Sequence, residues 1–364
     1  MNVVGMGDAE MKVIVVGPDG HKTRGGIASV LQGMRENTWL TEKTGMDFFS
    51  SYYEGNIVLK ILYGVWRILL FNFVVDRYDL VHIHMSIKGS AQRKMRYAKI
   101  AKRHGKKLVL HIHSGNFVVY YKNLPPEKQK EVKDCLESAD RVFALSECWK
   151  TAFEQELGLT NCEVMPNGIS VKKFPLSEKP FAERKIDFLF LGRLGEQKGT
   201  DDTLGALERL HNEGREFRCV MAGDGPLEEY SAQIKQKGLT GQVELAGWVG
   251  GEKKSGLLQD SKILLLPSYH EGLPMSILEA MASEEAVVST PVGGIPEAVK
   301  VGESGILITP GDAEVLYNAL RDLLDDTAKA EQMGRYGRKI VEEKYDLEKL
   351  HRQLYAEYCK ILGV

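Results

Sequence analysis

The chain has 364 residues, 43% of them hydrophobic and 27% charged, with a net charge of −2. That is about twice the usual length of one domain and enough apolar material for a sizeable core, so two domains are expected and a disordered chain is excluded. The near-neutral total conceals a split, since residues 1–170 carry 23 Lys and Arg against 18 Asp and Glu, and the remainder 25 against 32.

The N-terminus, "MNVVGMGDAEMKVIVV", has acidic residues between its apolar pieces and no signal-peptide core. The five cysteines, Cys135, Cys148, Cys162, Cys219 and Cys359, include no C-x-x-C pair. A reducing cytoplasm is the expected address. The "GMG" at Gly5–Gly7 precedes the first expected strand (12–17), and Glu10 stands where a dinucleotide fingerprint needs its third glycine. This counts against a dehydrogenase. After that strand, Gly25 and Gly26 come directly before a helical pattern starting near Ile27. Bare amides at a helix N-terminus seat an anion, although a plain tight turn has the same signature.

Next comes "NIVLKILYGVWRILLFNFVV", whose apolar run is interrupted by Lys60, Arg67 and Asn72 and is too short for a membrane span. A helical pattern follows, "IKGSAQRKMRYAKIAKRHGKK"; residues 60–107 hold 12 basic side chains against Asp76 and Asp79 alone. Two readings stand side by side. One is a core helix with a solvated face. The other is contact with an anionic membrane surface through Trp66, Phe71 and Phe73 and the cations Arg93, Lys94, Arg96 and Lys99, each cation contributing about 1 kcal/mol. Nucleic acid is disfavoured, because stacking aromatics are not interleaved with the charges.

Strands are expected at 80–85, 107–113 and 141–146. The first two carry the doublets His82/His84 and His111/His113. Alternate strand residues share a face, so each doublet offers two imidazoles together. Metal binding is one reading, but carboxylate or cysteine partners are not evident nearby. Satisfied core or crevice histidines are the preferred reading, and no metal is expected. His113 should open into the crevice, with His111 deeper in the strand.

Prolines and charges interrupt the pattern near "VMPNGISVKKFPLSEKPFAERK", which places the domain break there. Strands resume at 186–192, 217–223, 243–248, 263–268 and 286–290. Their near-continuous apolar runs indicate strands buried on both faces, hence two parallel sheets in an α/β protein. Loops after such strands line binding crevices. One places Arg193 and Lys198 among glycines, a cation pair suited to a diphosphate. "AGDGPL" and "GWV" follow other strands, and glycine loops in register imply one elongated ligand. Finally, "HEGLPMSILEAMAS" sets Glu271 and Glu279 eight positions apart.

These stretches, together with "HSG", "SAD" leading into "ALS", "MPNGI", "FLGRLGEQKG" and "STPVGGIPE", resemble a retaining glycosyltransferase of family 4 with the two-Rossmann-domain GT-B architecture. The resemblance implies an acceptor-binding domain over 1–170, a nucleotide-sugar domain over 171–345 and a helix over 346–364 crossing back toward the first. It implies that Glu271 lies beside the donor sugar, that Gly272 and Leu273 offer amides, and that Glu279 accepts from the ribose hydroxyls. By the same resemblance Arg193 and Lys198 neutralise the diphosphate, Gly25 and Gly26 close on it, and His113 positions the reacting sugar. The implied reaction moves a sugar from a nucleotide-diphosphate sugar, UDP favoured, to an acceptor hydroxyl, with retention and without metal or other cofactor. With the basic helix, the expected acceptor is a saccharide or a polyprenyl-diphosphate-linked saccharide in polysaccharide assembly. The expected location is the cytoplasmic face of the inner membrane, bound peripherally. The alternatives are a sugar-nucleotide epimerase and a non-catalytic sugar-nucleotide-binding protein on the same fold.

Overall fold

A computed structural model describes residues 11–18, 25–51 and 56–364; the Gly5–Gly7 stretch lies outside them. The chain divides into two compact units, one running to Pro166 and including Leu347–Val364, the other Asn167–Asp346.

The first unit holds a parallel sheet of six strands: β1 Val13–Gly17, β2 Asp47–Ser50, β3 Leu80–Met85, β4 Lys107–Ile112, β5 Arg141–Ala144 and β6 Cys162–Val164, ordered β2-β1-β3-β4-β5-β6. β1 and β3 are buried along their whole length, as their unbroken apolar runs require when helices cover both faces. The C-terminal helix Leu347–Leu362 packs within this unit. Its Tyr355 meets Trp39 edge-on at 5.4 Å, and its Tyr358 hydroxyl lies 2.6 Å from His82 Nδ1.

The two helices of the membrane reading divide their residues differently from expectation. In the apolar helix Ile57–Val74, Phe71 is fully buried, packed edge-to-face with Phe49 and Tyr97. Leu59, Ile61, Leu62, Val65, Trp66, Leu69 and Phe73 are each at least half exposed. Arg67 turns inward, stacked 3.6 Å over Phe49 and donating to the Ser50 carbonyl. In the basic helix Gly89–Arg103, the buried stripe runs through Ala91, Lys94, Tyr97, Ala98 and Ala101, so Lys94 belongs to the interior. Arg96 and Lys99 are exposed, and Lys99 pairs with Glu131. Among the described residues no helix is long and apolar enough to cross a membrane.

The second unit holds β7 Ile186–Leu191, β8 Cys219–Ala222, β9 Val243–Gly247, β10 Ser261–Leu266, β11 Ala286–Ser289 and β12 Gly305–Leu307, all parallel and ordered β12-β11-β10-β7-β8-β9. Counted from its own first strand, this is the Rossmann order. In such sheets ligands bind outside the carboxyl ends of the strands, where the strand order reverses. That point lies between β1 and β3 in the first unit and between β7 and β10 in the second. Three short edge strands, β2, β6 and β12, are not among those expected from sequence.

Candidate functional site

The loops after β7 and β10 meet at the reversal point of the second sheet. After β7 the chain makes one tight turn over Glu196–Lys198 and enters the helix Thr200–Asn212 through Gly199. Gly199 has φ +67°, and a Cβ there would sit 2.2 Å from the Pro267 carbonyl oxygen at the end of β10, so only glycine lets the two loops touch. The Tyr269 amide donates to the Gln197 carbonyl at 3.0 Å and stitches them together. Lys198 is thereby delivered to Glu271: its ammonium donates to Glu271 Oε1, which also accepts from the Ser268 hydroxyl at 2.8 Å. The Glu271 side chain is 8% exposed and that of Lys198 28%, so the pair is mostly withdrawn from water yet still reachable.

The "GG" of "STPVGGIPE" closes the other side of the Glu271 loop. Gly293 has φ +58°, and a Cβ there would stand 2.1 Å from the Glu271 carbonyl oxygen, while the Gly294 amide donates to the Gly272 carbonyl at 2.7 Å. Leu273 is buried, its carbonyl accepting from Asn167 Nδ2 at 2.7 Å, which gives "MPNGI" its structural part. Pro274 stands at the N-cap of the helix Met275–Ala282, one residue before the first turn that its missing N–H suits. Glu279, in that helix, is 6% exposed and accepts from Lys254 Nζ at 2.6 Å. Burial raises its carboxyl above the usual range, and the Lys254 ammonium opposes that only in part.

Arg193 is not gathered into this cluster. Its side chain is 71% exposed and its guanidinium pairs with Asp224 at 3.1 Å on the loop after β8. The glycines of that loop also read differently from expectation. A Cβ on Gly223 would fall 1.7 Å from the Gly192 carbonyl oxygen, and one on Gly225 2.5 Å from that of Leu194. These glycines let neighbouring loops pack, and no elongated ligand is needed to explain them.

In the first unit, a cavity of about 280 Å³ opens at its own reversal point, lined among others by Gly25, Gly26, Ser51, His84, Arg93 and Lys94. Gly25, at φ +120°, is the N-cap of the helix Gly26–Glu36, so that helix presents its amide end there. Lys94 is 2% exposed and donates to Ser51 Oγ at 2.5 Å. Burial, then the charge of Arg93, drives its ammonium well below the usual range. His113 is half-buried, its ring nitrogen Nε2 2.8 Å from His84 Nδ1, whereas His111 is buried. Burial also pushes His82 and His84 well below the ordinary imidazole value and His111 to about 3, so all three are neutral at pH 7. Sequence reasoning quoted Asn167 within "MPNGI" without giving it a role, and it missed Ser268, Lys254 and the inward placement of Lys94. Only the last had a legible signal, three residues after Ala91 and three before Tyr97 on one helical stripe.

Two family models divide the chain, "Glycosyltransferase Family 4" over residues 11–173 and "Glycosyl transferases group 1" over 173–340. A glycogen synthase of Mycobacterium tuberculosis is 28% identical over 52% of this chain and 46% of its own length. The amylovoran biosynthesis glycosyltransferase AmsK of Erwinia amylovora is 27% identical over 76% of this chain and 69% of its own. Measured by the first of these, the chain spans about half the length of the curated relatives it matches. Anabaena HepE, solved in complex with UDP-glucose, is 20% identical with a TM-score of 0.75, covering 96% of this chain and all of its own, and shares the fold. With the two models running from residue 11 to residue 340 over two Rossmann-like units, the chain belongs to the family-4 glycosyltransferases of GT-B fold.

Proposed function

We propose that the protein transfers a sugar from a UDP-sugar to a hydroxyl of a lipid-linked saccharide acceptor, with retention of anomeric configuration and without metal in the transfer step. The observation that carries this is the joining of Lys198 and Glu271 where the second sheet reverses its strand order, the place where a Rossmann unit takes its nucleotide. Glu271 is engaged by two donors, which suits a grip on the sugar rather than a free base. Glu279 grips the ribose. As the bond from the sugar C1 to the diphosphate oxygen breaks, negative charge grows on the phosphate. Lys198, the Gly272 and Leu273 amides, and Arg193, exchanging Asp224 for the diphosphate, stabilise it. The acceptor oxygen bonds C1 on the face the diphosphate leaves, and its proton passes to the departing phosphate oxygen. His113 positions the sugar and Gly25 and Gly26 seat phosphate. HepE's complex with UDP-glucose and the polysaccharide role in AmsK's name support donor and pathway class.

Two features of the first unit support a lipid-linked, phosphate-bearing acceptor at an anionic membrane surface. The cavity at its reversal point brings Arg93 and Lys94 beside the helix N-terminus given to the donor's phosphate, and these two side chains are the ones that suit the acceptor's diphosphate. The apolar helix leaves seven large side chains at least half exposed on a unit rich in basic residues. Burying each adds about 1 kcal/mol, so this face outweighs the surface cations in the membrane reading. The test is a transfer assay with a panel of UDP- and GDP-sugars and a polyprenyl-diphosphate-linked saccharide. Transfer from a UDP-sugar supports the reading; transfer from GDP-sugars alone, or to water-soluble acceptors alone, overturns the donor or the acceptor part.

A further inference from the structure

The two histidine doublets leave three imidazoles incompletely satisfied inside the first unit. β3 and β4 pair with His84 opposite His111, and His82 lies on the same face two residues back. The three side chains are 0%, 1% and 3% exposed, for His82, His84 and His111. Each spends one ring nitrogen on a partner. His82 Nδ1 lies 2.6 Å from the Tyr358 hydroxyl, His84 Nδ1 2.8 Å from His113 Nε2, and His111 Nε2 donates to the Met165 carbonyl at 3.0 Å. The other nitrogen of each, His82 Nε2, His84 Nε2 and His111 Nδ1, is buried without a hydrogen-bond partner. A buried polar atom so placed loses its hydrogen bonds to water and gains none in return. Three in one cluster, with one nitrogen from each ring within 4.8 Å of the other two, call for a common occupant.

We propose that His82, His84 and His111 bind one divalent transition-metal ion, zinc or a neighbour of similar softness, in the interior of the first unit. Three neutral imidazoles are a familiar ligand set for such ions, and they leave a further position for water. Metal-bound histidines characteristically hold their second nitrogen to a carbonyl, a hydroxyl or another fixed group. All three do so here. Bonds of about 2.0–2.1 Å draw the nitrogens closer than they stand, a shift available to ring rotation. His84 also lines the 280 Å³ cavity, which gives an entry path. Sequence alone ranks metal below satisfied core histidines because carboxylate or cysteine partners are not evident nearby; the doublets, paired across β3 and β4, supply three ligands without them.

One consequence rests on the role proposed for His113. An ion on His84 Nε2 leaves the His84 proton on Nδ1, so His113 Nε2 must accept it and His113 Nδ1 must carry the proton. The ion is then a positioning device for His113 and takes no part in sugar transfer.

The test uses the untagged, full-length protein, stripped by a chelating resin and titrated with Co²⁺, then with Zn²⁺ in competition. Expected are one Co²⁺ per chain, the visible absorption of imidazole-bound cobalt, its loss on adding Zn²⁺, and a raised Tm with either ion. His111→Leu should lose the uptake, while His104→Ala, outside the cluster, should keep it. Circular dichroism and UDP binding check that each variant is folded. No stoichiometric uptake by folded wild type, or uptake that survives in folded His111→Leu and His82→Phe, overturns the proposal. Because uptake needs no turnover, its failure is distinguishable from failure of the glycosyltransferase reading.

Discussion

Replacing Lys198 by Met separates the two duties assigned to it. In the free protein Lys198 compensates Glu271, whose carboxylate is 8% exposed and, among the described residues, otherwise accepts from the Ser268 hydroxyl. Breaking a buried ion pair from one side costs about 3–5 kcal/mol, and because the Lys198 side chain is 28% exposed the figure here falls to about 2–3 kcal/mol. For a unit of this size that lowers Tm by roughly 5–10 °C. Glu271→Gln should cost less, because the freed ammonium reaches water. The double variant Lys198→Met/Glu271→Gln should then recover at least ~1 kcal/mol over Lys198→Met, since no buried charge remains. Turnover should behave otherwise. Loss of the cation on the leaving diphosphate lowers kcat about 10²–10³-fold, and the double variant recovers none of it. Calorimetry and a radiolabelled-sugar transfer assay read the two effects. If Lys198→Met kept the wild-type Tm and a kcat within twofold of wild type, Lys198 would neither compensate Glu271 nor serve the leaving diphosphate.

Gly293→Ala places a Cβ 2.1 Å from the Glu271 carbonyl oxygen at φ +58° and should cost at least ~2 kcal/mol while weakening UDP binding, read by calorimetry. Lys94→Met removes an ammonium that burial disfavours, so Tm at pH 7 should rise while transfer to a diphosphate-linked acceptor falls sharply. The sign is fixed by protons: the unfolded chain holds the Lys94 proton more tightly, so wild-type stability gains as pH rises from the lowered folded value toward 10.5, and the variant lacks this gain in melting curves against pH. Leu62→Ser/Trp66→Ser/Leu69→Ser alters only exposed side chains, so Tm should shift by less than ~2 °C while flotation with anionic vesicles is lost. Arg96→Glu should weaken flotation less than that triple, in keeping with an apolar contact face.

Nine of the twelve strands among the described residues were legible because helices on both faces make their sequences almost continuously apolar, as in "VIVVG" and "SKILLL". β2, β6 and β12 were not, being edge strands of three or four residues, too short for a pattern. The Lys198–Glu271 meeting could be anticipated only through family resemblance, since 73 positions separate the two and the strand order brings them together. Lys254 opposite Glu279 had no local signal at all. The glycine loops are ambiguous in sequence because glycine serves close backbone packing, as at Gly223 and Gly225, as readily as it serves a ligand. Phe71 and Lys94 fit the core reading and not the membrane reading, because helical period decides where composition does not: one faces the core from an apolar helix and the other from a basic one.

The most direct measurement is the anomeric configuration of the product, followed by NMR while the protein acts on a UDP-sugar and a polyprenyl-diphosphate-linked saccharide. Wild type should form a new glycosidic bond with the donor's own configuration, and Lys198→Met should lose it. An inverted product, or a UDP-sugar converted to its epimer with no acceptor present, would contradict this.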